Sequence, residues 1–237
     1  MNARAARGAQ SRVEILEAAA AAIARDGYFG MTMRDLARAT GKGLATFYSH
    51  FESKEDVLFE LQRDAFDTLI RSASEAVTQA PDAATQLYLF ISSHVHYVLE
   101  HRDVMRVLVH EAGALPPQRR KKIRKLKEAY FAVARDVLQA LAREGCGAPA
   151  ASALGEVADA ELELATYNLF GMLNWIYSWH HAPTHGSAAD VARSVHRLTL
   201  CGLVARCPDR RALLRAETLS TSLHRPPPLR PPQGGDL

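Results

Sequence analysis

The stretch Thr32–Phe51, TMRDLARATGKGLATFYSHF, decides how this 237-residue chain folds. Thr32 with Asp35 three positions later has the form of a capping box, in which side chains satisfy the orphan N–H groups of a helix start. A short helix is therefore expected from there to about Thr40, with Met33, Leu36 and Ala37 turned inward. Gly41-Lys-Gly43 breaks it, and a second short helical stretch, Leu44–Phe51, follows at once. Ser53 and Asp56 repeat the capping pattern and open a long helix through Val57, Leu58, Leu61, Phe66, Leu69 and Ile70. Upstream, Val13, Leu16, Ala20 and Ile23 recur at helical spacing, with Ser11–Glu14 as the expected cap and Gly27 as the end. A short helix, a glycine-containing turn and a second short helix, buttressed by a preceding helix, is the sequence form of a helix-turn-helix.

That motif works by holding a short second helix rigidly on the first and offering its outer face to the major groove. Leu36 and Ala37 are expected to pack on Phe47 and Phe51. Lys42, Gly43, Leu44, Ala45, Thr46, Tyr48, Ser49 and His50 are then left facing outward. Tyr48 and His50 offer polar tips at phosphate height. Lys54 sits at a helix N-terminus, where charge and dipole both favour phosphate.

Beyond this region the apolar period stays helical and no strand alternation is evident. Pro81-Asp82 introduces a helix carrying Leu87, Phe90, Ile91, His94 and Val98, and Asp103–Ala112 reads as a short one. Pro116-Pro117 opens a long helix through Ile123, Leu126, Tyr130, Val133, Val137 and Leu141, and 145–149 reads as a loop. A broad apolar helix is expected over Asp159–Trp179, then a His/Pro/Gly loop, then a last helix capped by Ser187–Asp190. The expectation is an all-α chain of about nine helices.

Composition narrows the class. Hydrophobic residues make up 48% and charged residues 23%, ordinary for a soluble globular chain. The net charge of +3 permits nucleic-acid binding without demanding it, because a local basic surface matters more than the total. Three cysteines, Cys146, Cys201 and Cys207, form no CxxC pair, which fits a reducing compartment better than a disulfide scaffold or zinc ribbon. The apolar stretch after the basic N-terminus carries Glu14 and Glu17 and is no signal-peptide core, and the charge-free run 164–189 is too polar to span a bilayer. A cytoplasmic protein without membrane contact is expected. No GxSxG, Gly-rich phosphate loop or HExxH is present, so an enzyme is not expected, nor is a cofactor.

The residues Arg12-x-x-Ile-Leu-x-Ala-Ala, Gly27-Tyr-Phe, Thr32-Met-Arg-Asp-Leu-Ala and Ala45-Thr-Phe-Tyr-Ser-His-Phe51-x-Ser-Lys-Glu-Asp-Val-Leu resemble the N-terminal domain of TetR-type repressors. The resemblance implies a three-helix helix-turn-helix DNA-binding domain over 9–69 and a C-terminal helical ligand-binding and dimerisation domain over 80–205. A tail, 206–237, is expected to be disordered at least from 226. It implies phosphate-contacting roles for Thr32, Tyr48, His50 and Lys54, and base reading around Leu44, Ala45 and Thr46. Gly41-Lys-Gly43 stands where the family usually has Gly-Val-Ser, so a lysine replaces a packed valine and Lys42 gains a potential phosphate or base contact. Arg4 and Arg7 fit either a minor-groove arm or a solvated tail.

The partners so implied are double-stranded DNA carrying a near-palindromic operator, a second copy through the last two long helices, and a small-molecule effector. Asn174-Trp-Ile-Tyr-Ser-Trp179 with the final Leu200-Cys-Gly-Leu203 resembles a subgroup of regulators of fatty-acid, steroid and aromatic degradation, which points to an acyl-CoA or another largely apolar molecule. Phe90, His94, Asn168, Met172 and Trp175 are the candidate ligand residues, and Tyr167, Phe170, Tyr177 and Trp179 are aromatics that fit a cavity wall, though such residues more often belong to a core or an interface. His94 also fits a satisfied core histidine. Seven basic residues in 119–127 read either as a cradle for a CoA-like phosphate or as a solvated face. No histidine cluster has metal-ligand spacing, so no metal is expected. The rival functions are an effector-independent architectural DNA-binding protein and a repressor of efflux genes answering a drug-like ligand.

Overall fold

The computed structural model describes residues 3–144 and 159–203. These form eleven helical segments and, among the described residues, no strand. In order they are α1 (Ala3–Asp26), α2 (Met33–Ala39), α3 (Leu44–Tyr48), α4 (Lys54–Thr78), α5 (Ala83–Glu100) and α6 (Arg102–His110). Then come α7 (Pro117–Glu144), α8 (Asp159–Asn174), α9 (Ile176–Trp179), α10 (Ala182–His185) and α11 (Ala188–Leu203). The expected loop at 145–149, the tail from 206, Cys146 and Cys207 lie outside the described residues.

Local chemistry sets most of the boundaries. Thr32 and Asp35 form the reciprocal capping box of α2. Ser53 accepts from the Asp56 N–H at the start of α4, and Asp82 from the Thr85 N–H at the start of α5. Ser187 and Asp190 bond reciprocally at the start of α11. Gly27 ends α1 at φ 75° and Gly41 turns the chain between α2 and α3 at φ 65°, a region that costs a glycine nothing.

Three expectations are corrected. Ser11–Glu14 caps nothing, because α1 already begins at Ala3: the alanines and arginines of its first turns are strong helix formers and carry the helix upstream. Arg12 instead pairs with Glu60 and Asp64 of α4, and Glu14 with Lys42. The broad helix 159–179 is broken at Trp175 into α8 and α9, and the His/Pro/Gly loop holds the four-residue α10, giving eleven segments where nine were counted. Arg4 and Arg7 fall within α1 rather than in a tail.

The buried residues fall into two clusters. One joins α1, α2 and α3 to the first turns of α4 through Ile15, Ile23, Leu36, Phe47, Phe51, Val57 and Leu58. The other lies among α5, α7, α8, α11 and the distal part of α4 through Leu87, Phe90, Ile91, Val137, Leu138 and Leu173. Three helices belong to both. α4 gives Leu58 to the first and Leu69 to the second, α6 gives Val107 and Met105, and α7 gives Ile123 and Tyr130. A displacement of any of the three is felt by both cores, since close-packed interiors transmit strain.

Candidate nucleic-acid interface and ligand cavity

Phe47 is the one fully buried side chain of the five-residue α3. Its ring lies 5.9 Å from that of Phe51 and, with Leu36 and Ala37, closes the expected packing of α3 on α2. The opposite face is open. Ala45, Thr46, Tyr48 and Ser49 are exposed, as is Gly43, while Leu44 and His50 are half-buried. Tyr48 retains half of its surface. Thr32, exposed at the start of α2, donates its hydroxyl to Asp35 Oδ2 at 2.6 Å and accepts from the Asp35 N–H. Hydrogen bonds to its carboxylate from the Thr32 hydroxyl and the Thr32 N–H hold the Asp35 carboxyl below its ordinary pKa.

The two lysines of the expected DNA-facing set have partners inside the protein. Lys42 Nζ meets Glu14 Oε2 of α1 at 2.7 Å, so it holds the turn to α1 by charge. Lys54 Nζ donates to the carbonyls of Tyr28 at 3.2 Å and Met31 at 2.9 Å and lies 4.6 Å from the centre of the Tyr28 ring. It therefore fixes the α1–α2 connection on the N-terminus of α4. Two exposed cations that the sequence reading passed over, Arg34 and Arg38, lie one turn apart on α2. Their i, i+4 spacing, away from Leu36 and Ala37, was the available signal.

The second site is a cavity of about 370 Å³ walled by α4, α5, α6, α7 and α8. Of the five expected ligand residues, His94 and Trp175 stand in its wall. Phe90 does not: it is fully buried behind the wall, stacked on Tyr130 at 5.4 Å. Asn168 is exposed and outside it, and Met172 lines a separate groove with Trp179, Val191, Val195 and Leu198. Tyr167, Gly171 and Asn174 do line the cavity, at i, i+4 and i+7 on one face of α8. Asn168 and Met172 each sit one residue, about 100° of helix rotation, off that face. From the wider aromatic set Phe170 joins the wall, while Tyr177 instead bonds His110 at 2.8 Å.

Sequence reading missed Gln62 and Phe66 of α4, Met105 and Leu108 of α6, and Phe131 of α7. Two polar side chains in the wall are each only 1% exposed, Gln62 and His94. His94 Nδ1 lies 2.9 Å from the Tyr130 hydroxyl, the two rings stacked 13° from parallel. Burial pushes the His94 pKa down to about 4, so the imidazole is neutral at physiological pH. The Tyr130 phenol is pushed up by the same desolvation. Gln62 Nε2 donates to the Glu111 carbonyl at 3.2 Å. Gln62 Oε1 and His94 Nε2 have no hydrogen-bond partner among the described residues.

The basic run divides by position. Arg119 pairs with Glu55 at 3.0 Å and with Asp56, and its guanidinium covers the Phe59 ring at 5.2 Å. Burial pushes the Asp56 carboxyl up, but Arg119 and Ser53 outweigh it and hold it below its usual pKa. Exposed Lys127 lines the cavity mouth. Arg120, Lys121 and Lys125 are exposed. Among the described residues no group of three or more histidine, cysteine or acidic side chains is placed to hold a metal, and no helix is long and apolar enough to cross a membrane.

Comparison with known proteins finds matches to both the N-terminal and the C-terminal part of the chain. The family described as "Bacterial regulatory proteins, tetR family" matches residues 15–61, and "Tetracyclin repressor-like, C-terminal domain" matches residues 80–203. The chain is 23% identical over 193 residues to the fatty acid metabolism regulator protein of Bacillus subtilis, covering 81% of this chain and 94% of that one. A crystal structure of a TetR-family transcriptional regulator from Bordetella parapertussis superposes with a TM-score of 0.70 at 26% identity, over 80% of this chain and 93% of that one. AibR, solved in complex with isovaleryl coenzyme A and operator DNA, superposes with a TM-score of 0.65 at 21% identity, over 82% and 98%.

Proposed function

This chain belongs to the TetR family of bacterial regulatory proteins, and we propose that it is a cytoplasmic, homodimeric repressor released from its operator by an acyl-CoA or another largely apolar small molecule. The observation that carries this reading is the cavity walled by α4, α5, α6, α7 and α8. Its walls include α4 and α6, which also supply Leu58 and Val107 to the core on which α2 and α3 are packed. A ligand that fits the cavity better in one position of α4 shifts the heads toward that position. One that fits both positions equally shifts nothing. The names of the Bacillus subtilis relative and of the AibR complex support the fatty-acid and acyl-CoA direction.

We assign DNA reading to residues 9–69 and ligand binding and dimerisation to 80–205. Thr32, Tyr48 and His50 contact phosphate, and Leu44, Ala45 and Thr46 meet base edges, through Thr46 hydrogen bonding and thymine-methyl contacts. Lys42 acts chiefly by holding the turn before α3, Gly43 as the N-cap of α3, and Lys54 by holding the α1–α2 connection on α4. Dimerisation through α8 and α11 is supported by large apolar side chains left exposed there, Leu164 at 63% and Leu198 at 61%.

Tyr48→Phe is expected to weaken binding to every DNA sequence about equally, roughly three- to tenfold, as loss of one phosphate hydrogen bond should. Competition titrations on several operator variants check this, and a change in preference among variants would contradict it. Arg119→Ala is expected to leave operator affinity within a few-fold while cutting ligand-driven release, because Arg119 ties α7 of the cavity wall to the start of α4. Couplings of this kind are worth about 0.5–2 kcal/mol. Operator titrations with and without effector measure it, and an unchanged release factor counts against the tie.

The whole reading is tested by a mobility shift on promoter DNA flanking the gene, at one stated salt concentration, with straight-chain, branched and aryl acyl-CoA thioesters. Specific binding lost with one thioester class is the expected result. Specific binding that no thioester disturbs would discard the acyl-CoA effector.

A further inference from the structure

The cavity contains more chemical information than its size. At about 370 Å³ it has the liquid volume of about twelve waters, near the small end of the range for small-molecule sites. Six of its walls are aromatic: Phe66, Tyr130, Phe131, Tyr167, Phe170 and Trp175. Phe131 stacks on Phe170 at 5.7 Å and meets Tyr167 at 4.8 Å. Such a lining favours a flat ring, which gains offset-stacked and edge contacts beyond simple burial.

Two buried polar side chains, Gln62 and His94, interrupt this lining, and their unmet needs are opposite. The Gln62 amide has its orientation set by the Glu111 carbonyl, which must face Nε2 rather than Oε1. Oε1 is left as a buried acceptor without a donor. The Tyr130 hydroxyl has His94 Nδ1 as its hydrogen-bond partner among the described residues. The phenol proton is satisfied when it is donated to Nδ1, which leaves the imidazole proton on Nε2. Nε2–H is then a buried donor without an acceptor. A buried polar atom left unmet costs about 1–3 kcal/mol, so a ligand that meets it is favoured over one that does not.

We propose that the cavity selects a hydroxylated, ring-bearing effector whose O–H donates to Gln62 Oε1 and whose oxygen accepts from His94 Nε2–H. This rests on the ligand-responsive reading above and narrows it. A saturated acyl chain brings no donor, and a ketone or thioester carbonyl satisfies His94 but not Gln62. A carboxylate placed there would be repelled by Oε1 and stripped of water, whereas exposed Lys127 offers an anionic group a place at the mouth. A site built to hydrogen-bond a hydroxyl rejects the analogue lacking it far more strongly than an apolar pocket rejects a change of one methylene.

The test is calorimetric titration of the full chain with 2-naphthol and with 2-methylnaphthalene, which replaces the hydroxyl by a methyl group on the same ring. The wild type is expected to bind 2-naphthol about ten- to a hundredfold more tightly. Gln62→Leu, close in size and without the acceptor, is expected to reduce that preference to within a few-fold, while 2-methylnaphthalene binds at least as well as before. Retained binding of 2-methylnaphthalene shows that the variant is folded. Equal binding of both probes by the wild type would overturn the hydroxyl assignment while leaving the cavity as the effector site. A preference undiminished in Gln62→Leu would overturn the role of Gln62. Failure of both probes to bind at millimolar concentration would overturn this inference, while the ligand-responsive reading stands or falls separately on the thioester mobility shift.

Discussion

Phe47→Ala is expected to destabilise the protein by about 3–5 kcal/mol and to abolish operator binding, while the cavity still binds 2-naphthol. Phe47 is fully buried and is the side chain by which α3 enters the core formed with Leu36, Phe51 and Leu58. A five-residue helix has no stability of its own, since nucleating a single turn is unfavourable and short helices depend on packing. Removing the ring leaves a void that neighbours fill only partly, and α3 loses its fixed position over α2. Of the buried apolar residues that line the cavity, Leu69, Met105 and Tyr130 belong to the second cluster, of which Phe47 is not a member. Chemical denaturation followed by circular dichroism, with parallel DNA and 2-naphthol titrations, separates the two effects. Wild-type operator affinity in the variant would mean that α3 is placed by something other than this core.

The second large effect is on acid stability. His94 is buried, its pKa pushed down to about 4 from an ordinary 6.5 by desolvation. Above pH 6.5 the ring is neutral both folded and unfolded and contributes no pH dependence. As pH falls from 6.5 toward 4 the unfolded chain takes up the proton first, so stability drops. The loss levels off below about 4, at about 3 kcal/mol in total. Urea unfolding of the wild type and of His94→Gln across this range is expected to give curves that converge as pH falls, because glutamine does not titrate. Parallel curves would mean that His94 takes up its proton equally in both states.

The parts of the fold that were legible are those set by neighbours in sequence. Thr32–Asp35, Ser53–Asp56 and Ser187–Asp190 announce their helices because each cap is made within four residues. The break at Trp175 was not legible. The apolar pattern runs on through Ile176, and the turn after α9 is held from α6, where Arg102 takes the carbonyls of Tyr177 and His180, both at 3.1 Å, and the His180 ring at 3.0 Å. His180 in turn bonds the Gly186 carbonyl at 3.0 Å, closing the turn around α10. A contact some 75 residues away leaves no local signature.

The candidate sites divide in the same way. The outward face of α3 follows from the period of its one apolar anchor, and Ala45, Thr46 and Tyr48 are exposed as expected. The partners of Lys42 and Lys54 could not be read, because Glu14, Tyr28 and Met31 reach them only once α1 is packed. For the cavity, periodicity tells inward from outward but not core from cavity. Phe90 and His94 share one inward stripe of α5, yet only His94 reaches the wall. Gln62, Met105 and Lys127 come from three helices that only the tertiary fold brings together.

The most direct measurement is a footprint of the purified protein on genomic fragments that it enriches at fixed salt. Protection of two symmetry-related half-sites, centred about 34–36 Å or a multiple of that apart, is the expected result for a homodimer whose α3 helices enter successive major grooves. Enrichment without a shared sequence, or protection of a single half-site, would contradict the account of this chain as a dimeric, operator-reading repressor.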